Sequence, residues 1–320
     1  MSRDTVLVTG GNSGIGFECA RQLARDGWHV LIASRNRDAS ATAARQIAAE
    51  SGRDSVAEAG LDLGSLESVR RFATTLDPAI RLTALVCNAG LQTTRGPKLS
   101  AEGFEQTFAV NHLGHFLLTN LLLPRLRASA PARIVVVASG VHDPKLRTGM
   151  PKADVADLET LAATGGPRRG DFDGRLAYVN SKLCNLWFTY ELVRRLDAAG
   201  ERRVTVNAYD PGLVPGSGLA RDYPAVLRFV WNGILPGLAR VLSPVLPTVN
   251  PAWKSGRALA RLVHDPALAG VTGKYFPSHA RWRAAPSSEA SYDVERARAL
   301  WDASERMTRL LPAESALVGA

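Results

Sequence analysis

The chain has 320 residues, 46% of them apolar, which is enough to bury a full core. Its net charge of +9 and pI of about 9.9 raise nucleic acid as a partner, but the arginines are scattered along helical stretches, as at Arg194-Arg195, Arg202-Arg203 and from Arg296 to Arg309. We read them as solvated faces, and no nucleic acid is expected. The chain opens on Thr5 to Thr9, a short apolar run bounded by glycines that predicts a buried strand. A glycine cluster from Gly10 to Gly16 follows, and then a helix through Phe17, Ala20, Leu23 and Ala24. Strand, glycine turn and helix in that order make a phosphate cradle, because backbone N–H groups and the positive helix end face an anion. Gly10, Asn12, Ser13, Gly14, Ile15 and Gly16 are therefore the expected nucleotide-binding residues at this end.

The second strand, Trp28 to Ala33, runs into Ser34, Arg35, Asn36 and Arg37 with no carboxylate nearby. In dinucleotide folds an acid at this point takes the ribose 2'-hydroxyl, whereas an arginine accommodates a 2'-phosphate. Arg35 thus predicts NADP(H), with Ser34, Asn36 and Arg37 assisting. Further strands are expected at Leu82 to Cys87, at Ile134 to Ala138 and near Lys274 to Phe276, with crossover helices between them. Seven strands in this alternation predict a single α/β Rossmann-type domain, a doubly wound parallel sheet, with its active residues at the carboxyl ends of the strands.

Tyr178 and Lys182 stand four residues apart, which places both on one face of a helix. An unperturbed tyrosine titrates near pH 10, so bringing it towards neutrality takes about 4 kcal/mol, which a neighbouring ammonium can supply. The pair reads as an acid/base device. Cys19, Cys87 and Cys184 show no short pairing, which predicts reduced buried thiols in a cytosolic compartment. His112 and His115 lack thiol or carboxylate partners at ligand spacing, so a structural or substrate-edge role is expected and no metal.

After Pro211 and Gly212 comes an apolar stretch, about 213–250, read as a lid over the substrate, with Leu213, Phe229 and Trp231 as its contacts. Its apolar character suits a hydrophobic substrate, a membrane surface, or burial against a partner or the chain's own core. No signal peptide is expected, and no stretch that spans a bilayer, because 225–249 is interrupted by Arg228, Asn232, Arg240 and three prolines. Beyond the lid, Pro251 to His264 and Asp293 to Leu310 read as peripheral helices, and 312–320 as a loose tail after a domain ending at 311.

Taken together, these residues resemble the short-chain dehydrogenase/reductase family. Thr9-Gly-x3-Gly-x-Gly16 is similar to its cofactor loop, Asp62-Leu63 to its adenine-contacting pair, and Asn88-Ala89-Gly90 to the turn after its fourth strand. Asn111, Ser139, Tyr178 and Lys182 match its catalytic tetrad, and Asp210-Pro211-Gly212 its nicotinamide-side loop, with Val214 and Ser217 beyond. The resemblance implies that Tyr178 exchanges a proton with the substrate oxygen, Ser139 hydrogen-bonds that oxygen, Lys182 lowers the tyrosine pKa and holds the nicotinamide ribose, and Asn111 keeps a water in the relay. These roles agree with the need of a developing oxyanion for a proton donor and a fixed hydrogen bond.

Two branches compete, retinol-dehydrogenase-like enzymes and light-dependent protochlorophyllide reductases. The run from Asn111 to Pro124 suits both. The insertion at about 141–173, including Ala153 to Leu158 and Gly170 to Gly174, and the stretch from Ser288 to Trp301 resemble the second. Against it, Leu213 stands where those reductases place a cysteine, and Cys184, six residues past Tyr178, points about 120° away around the helix. Gly216 also replaces a threonine that often holds the cofactor's carboxamide, with Ser217 as its substitute. The leading expectation is an NADPH-dependent carbonyl or alcohol oxidoreductase for a bulky hydrophobic, polycyclic-type substrate. The alternatives are a protochlorophyllide-reductase-like double-bond reductase and a catalytically silent NADP-binding sensor. The complete tetrad favours an enzyme. Monomer and homodimer both stay open, as does peripheral membrane contact through the lid.

Overall fold

The computed structural model describes residues 4–155, 157–168, 172–315 and 317. Among them, β1 (Thr5–Thr9), β2 (His29–Ser34), β3 (Val56–Gly60), β4 (Leu82–Cys87), β5 (Ala132–Val137), β6 (Val204–Asp210) and β7 (Tyr275–Pro277) form one sheet, ordered β3-β2-β1-β4-β5-β6-β7. Every pairing is parallel. A parallel sheet is covered on both faces, which is why β1, β4 and β6 are buried from end to end and read as apolar runs. Alternate residues divide between two cores. Leu7, Leu85, Ile134 and Val206 face Phe116, Leu117 and Phe188, while Val6, Val8, Ile32 and Val86 face Leu23 and Leu259.

Helices α1 (Gly14–Arg25), α2 (Arg37–Ser51), α3 (Leu66–Thr75), α4 (Gln106–Phe108), α5 (Gly114–Ala128), α6 (Leu158–Thr164) and α7 (Gly174–Ala198) follow in order. A π turn, Ala109–Leu113, joins α4 to α5. The chain winds outward from β1 to β3 and then crosses back to β4, so strand order reverses between β1 and β4. A ligand crevice belongs at that switch point. Helix α7 starts where it does because Asp173 caps its first N–H groups and Gly174 lies against Thr93, whose carbonyl a Cβ would overlap.

In the insertion, Asn180 of α7 clamps the chain by accepting from Asp154 N at 2.8 Å and donating to Asp154 O at 2.9 Å. Ala156, Gly170 and Asp171, which belong to the stretches singled out in the sequence, lie outside the described residues. Helices α8 (Ala225–Phe229), α9 (Leu235–Leu242), α10 (Ala252–His264) and α11 (Val294–Thr308) complete the fold. Helix α11 lies over α7 and α5. Its Trp301 meets Phe116 edge-on with ring centres 4.9 Å apart and stacks on Phe188 at 5.9 Å.

Two expectations are corrected here. Ala225–Leu242 is one continuous helix of 18 residues, long and apolar enough by length and composition to cross a membrane. A π turn at Val230–Ile234 lies immediately before Pro236 and absorbs the backbone change that the proline demands. The tail is not loose throughout. Pro312–Glu314 forms a 3-10 turn, Glu314 pairs with Arg70 of α3, and Leu317 is buried in the core. Residues 316 and 318–320 lie outside the described residues.

Candidate active site

The crevice between β1 and β4 deepens into a cavity of about 640 Å³. Its outer end is the glycine loop. Gly10 and Gly14 have φ of 63° and 57°, the left-handed region that favours glycine. Gly16 allows α1 to approach the strands, since a Cβ there would collide with Asn88. Asn88 spans the switch point, donating from Nδ2 to Thr9 O at 2.8 Å.

The start of α1 is left open. Ser13 makes no side-chain cap and no acid occupies the first turn, whereas Asn36, Ser65, Asp173 and Asp293 cap α2, α3, α7 and α11. Free N–H groups, the positive helix end and a cavity-facing Gly14 with nothing closer than 3.7 Å to its would-be Cβ suit a pyrophosphate. The residues present therefore fit a dinucleotide.

Nearly every residue singled out in the sequence lines this one cavity: the loop residues Asn12, Ser13 and Ile15, the β2 group Ser34, Arg35 and Asn36, then Asp62, Leu63, Asn88, Ala89 and Gly90. Pro211, Gly212, Leu213, Val214, Ser217 and Trp231 line its other side, with Ser139, Tyr178 and Lys182 between. Arg35 is exposed and makes no ion pair among the described residues. Arg37 does not join it, because it pairs with Glu58 at 3.1 Å and lies outside the lining.

Tyr178 and Lys182 share a face of α7, and the Lys182 ammonium lies 5.5 Å from the Tyr178 ring centre. Lys182 Nζ donates to Val137 O at 3.0 Å, and Asn185 Nδ2 reaches the same carbonyl at 3.2 Å. Burial pushes the Lys182 amine down to about 8, with the Asp210 carboxylate opposing. Burial also pushes the Tyr178 phenol up, with the Ser139 hydroxyl beside it pulling the other way. Desolvation is the largest cause at both residues, and it holds each buried group towards its neutral form.

Ser139 is fixed from behind. The backbone O of Ser139 accepts from His142 Nδ1 at 2.6 Å, and His142 Nε2 accepts from Ser288 N at 3.2 Å. An amide N–H can only donate and a carbonyl can only accept, so His142 is the neutral Nδ1–H tautomer. Burial correspondingly lowers its pKa.

Asn111 does not reach the cavity. Its Nδ2 donates to Leu91 O and Ser181 Oγ, both at 3.0 Å, and its Oδ1 accepts from Leu91 N at 2.9 Å. It staples the turn after Gly90 to α7. His115 binds the Asn111 carbonyl through Nδ1 at 3.2 Å and Thr9 Oγ1 through Nε2 at 2.9 Å. Burial lowers His112 to about 3 and His115 to about 4, so both are neutral packing groups. No metal-ligating cluster exists among the described residues.

Phe229, at 68% exposed, also stays outside the cavity, whereas Trp231 donates from Nε1 to Ser217 O at 3.2 Å and faces inward. Sequence reasoning missed several wall residues. Leu146, Thr148 and Met150 come from the insertion, and Tyr223 hydrogen-bonds Gln92 at 3.4 Å and meets Trp231 edge-on at 6.2 Å. None sits in a periodic element, so no pattern marked them. Asp210, only 3% exposed, lines the cavity close to Tyr178 and Lys182, at the strand end where the Asp210-Pro211-Gly212 loop was expected.

A parallel sheet with a nucleotide cradle at its switch point and a Ser, Tyr and Lys cluster at its strand ends defines a Rossmann-fold oxidoreductase site. Residues 4–148 match the short chain dehydrogenase family model. The chain is 37% identical to human retinol dehydrogenase 13, over 96% of this chain and 85% of that protein. It is 35% identical to protochlorophyllide reductase A of Oryza sativa subsp. japonica, over 97% of this chain and 82% of the other. Among solved structures, an uncharacterised protein from Mycobacterium paratuberculosis superposes with a TM-score of 0.69 at 31% identity, covering 96% of this chain and 94% of that one. A Pseudomonas aeruginosa RhlG/NADP active-site complex superposes at 0.61 and 26% identity, covering 87% and 95%. The chain belongs to the short-chain dehydrogenase/reductase family, and it is an oxidoreductase that depends on a nicotinamide dinucleotide.

Proposed function

We propose that the chain is an NADPH-dependent carbonyl reductase or alcohol dehydrogenase for a bulky hydrophobic substrate. The observation that carries this is the cavity itself, in which Tyr178, Ser139 and Lys182 share a space with the apolar side chains of Leu213, Trp231, Leu146 and Met150. Gly10, Gly14, Gly16 and the open end of α1 hold the pyrophosphate, Asp62 and Leu63 the adenine end, and Arg35 the 2'-phosphate. Once bound, the nicotinamide supplies or accepts the hydride. Tyr178 gives its proton to the substrate oxygen, the neutral phenol being the form that burial favours. Ser139 fixes that oxygen, and Lys182 holds the ribose and steadies the phenolate left behind. The apolar lid walls exclude water.

Two relatives bear names that specify a retinoid and a tetrapyrrole, both large and lipophilic. A second reading, double-bond reduction of a tetrapyrrole-like ring, is favoured by the insertion's contribution to the wall. Leu213 counts against it, since an alkyl side chain in the cavity wall offers no proton.

The test is NADPH consumption against lipophilic ketones and against protochlorophyllide, in darkness and in light. Dark turnover of a ketone that falls roughly 100- to 10,000-fold in Tyr178→Phe is the expected result. Turnover of the pigment alone, and only in light, would reverse the ranking. Arg35→Ser should weaken NADPH binding by about 10- to 100-fold and leave NADH binding unchanged, as expected for a lost charge-assisted contact.

A further inference from the structure

The lid helix carries more than the cavity requires. Along Ala225–Leu242 and the turn after it, Val226, Phe229, Ile234, Leu238, Val241 and Val245 are exposed, Val241 and Val245 by 73% and 77%. Ile234, Leu238 and Val241 recur at spacings of four and three, a stripe along one face, and Val245 follows in the turn beyond the helix. Its charge is equally one-sided. Between Asp222 and Asp265 there is no acidic residue, while Arg228, Arg240 and Arg257 are exposed and make no ion pair among the described residues. Exposed Trp253 stands near the start of the next helix.

The helix cannot cross a bilayer and stay attached to this fold. Its 18 residues reach about 27 Å, close to a hydrocarbon core of about 30 Å, but neither end is free to lie on the far side. Both of its ends return to the same domain. Before it, Asp222 pairs with Lys98 at 2.8 Å and accepts from Thr94 Oγ1 at 3.1 Å. After it, Asn250 N donates to Leu213 O at 2.9 Å. Its middle is docked by Trp231 on Ser217 and by buried Ala239. An apolar face with unpaired arginines and no acids, lying flat on the body, has the form of an interfacial helix.

We propose that Ala225–Leu242 lies in the surface of an anionic lipid bilayer, with its exposed apolar face among the acyl chains and Arg228, Arg240 and Arg257 against the headgroup phosphates. The helix then separates the membrane from the cavity that Trp231 lines. A lipophilic substrate passes from one to the other without crossing water. The lipid contact itself does not rest on the reaction proposed above, because it is read at a different surface.

The experiment is sedimentation of the purified full chain with phosphatidylcholine vesicles, with and without phosphatidylglycerol, with light scattering of the protein alone. Pelleting with the anionic vesicles, weakened by 0.5 M salt, is the expected result. Leu238→Asp/Val241→Asp should abolish it. Arg228→Gln/Arg240→Gln should weaken it on the order of 25-fold, about fivefold for each basic residue near an anionic surface. Both variants should keep the wild-type melting temperature and NADPH affinity, which separates loss of the contact from loss of the fold. No pelleting, or pelleting that ignores lipid charge and both variants, would overturn the proposal. So would a stable dimer that Leu238→Asp/Val241→Asp dissociates, because the face would then belong to a second copy.

Discussion

On the nucleotide side of the cavity, backbone groups hold one another in place. Gly10 N donates to Ala33 O at 2.8 Å, Thr9 Oγ1 accepts from Asn88 N at 2.9 Å and Ala89 N at 3.0 Å, and Gly16 abuts Asn88. The lid on the other side meets the body through Trp231 and Ala239 and leaves most of its residues exposed. One wall is specified by what the backbone can do, so only certain residue types are admitted there. The other is specified by what its side chains face, which many sequences satisfy. The first wall can serve one ligand shape, and the second can change partners without unfolding the protein.

The contrast sharpens most at Lys182, where the two walls meet. Its pKa in the fold is about 8 against 10.5 for an unperturbed lysine. Below pH 8 both folded and unfolded chains carry the charge and the fold bears the whole cost. Between about 8 and 10.5 the fold releases its proton while the unfolded chain keeps it, so stability rises with pH. Denaturant unfolding at pH 7 and pH 10 should show wild type gaining about 3 kcal/mol relative to Lys182→Met across that window.

A smaller effect is expected at Gly16. Gly16→Ala places a methyl against Asn88 and the Gly10 backbone and should cost about 1–3 kcal/mol, read as a lower melting temperature together with weaker NADPH binding. Smallest of all is Val241→Ser on the exposed lid face, expected within about 0.5 kcal/mol of wild type. A lid substitution that destabilised as much as Gly16→Ala would break the comparison outright.

How far the sequence could be read follows the same division. The glycine loop, Asp62, Asn88, Ser139, Tyr178 and Lys182 were legible because strand ends and helix starts tie chemistry to position, and strands β1 and β4 matched their expected bounds to the residue. Leu146, Met150 and Tyr223 were not, since they come from irregular segments whose course depends on what they pack against. The lid helix was misread at its prolines, because a π turn absorbs Pro236 and the other two lie beyond Leu242. The burial of Tyr178 and Lys182 was not legible either. Spacing shows that a charge is near, but only burial shows how strongly water has been removed.

The hydrogen bond from Ser288 N to His142 joins residues 146 positions apart. During synthesis the nucleotide cradle emerges whole within the first third of the chain, while the support behind Ser139 waits for residue 288 of 320. A product that stops after α10 would carry every residue of the tetrad and still lack the contact that seats the serine. The catalytic floor is thereby completed from the far end of the chain, and the serine is seated only once that segment has docked.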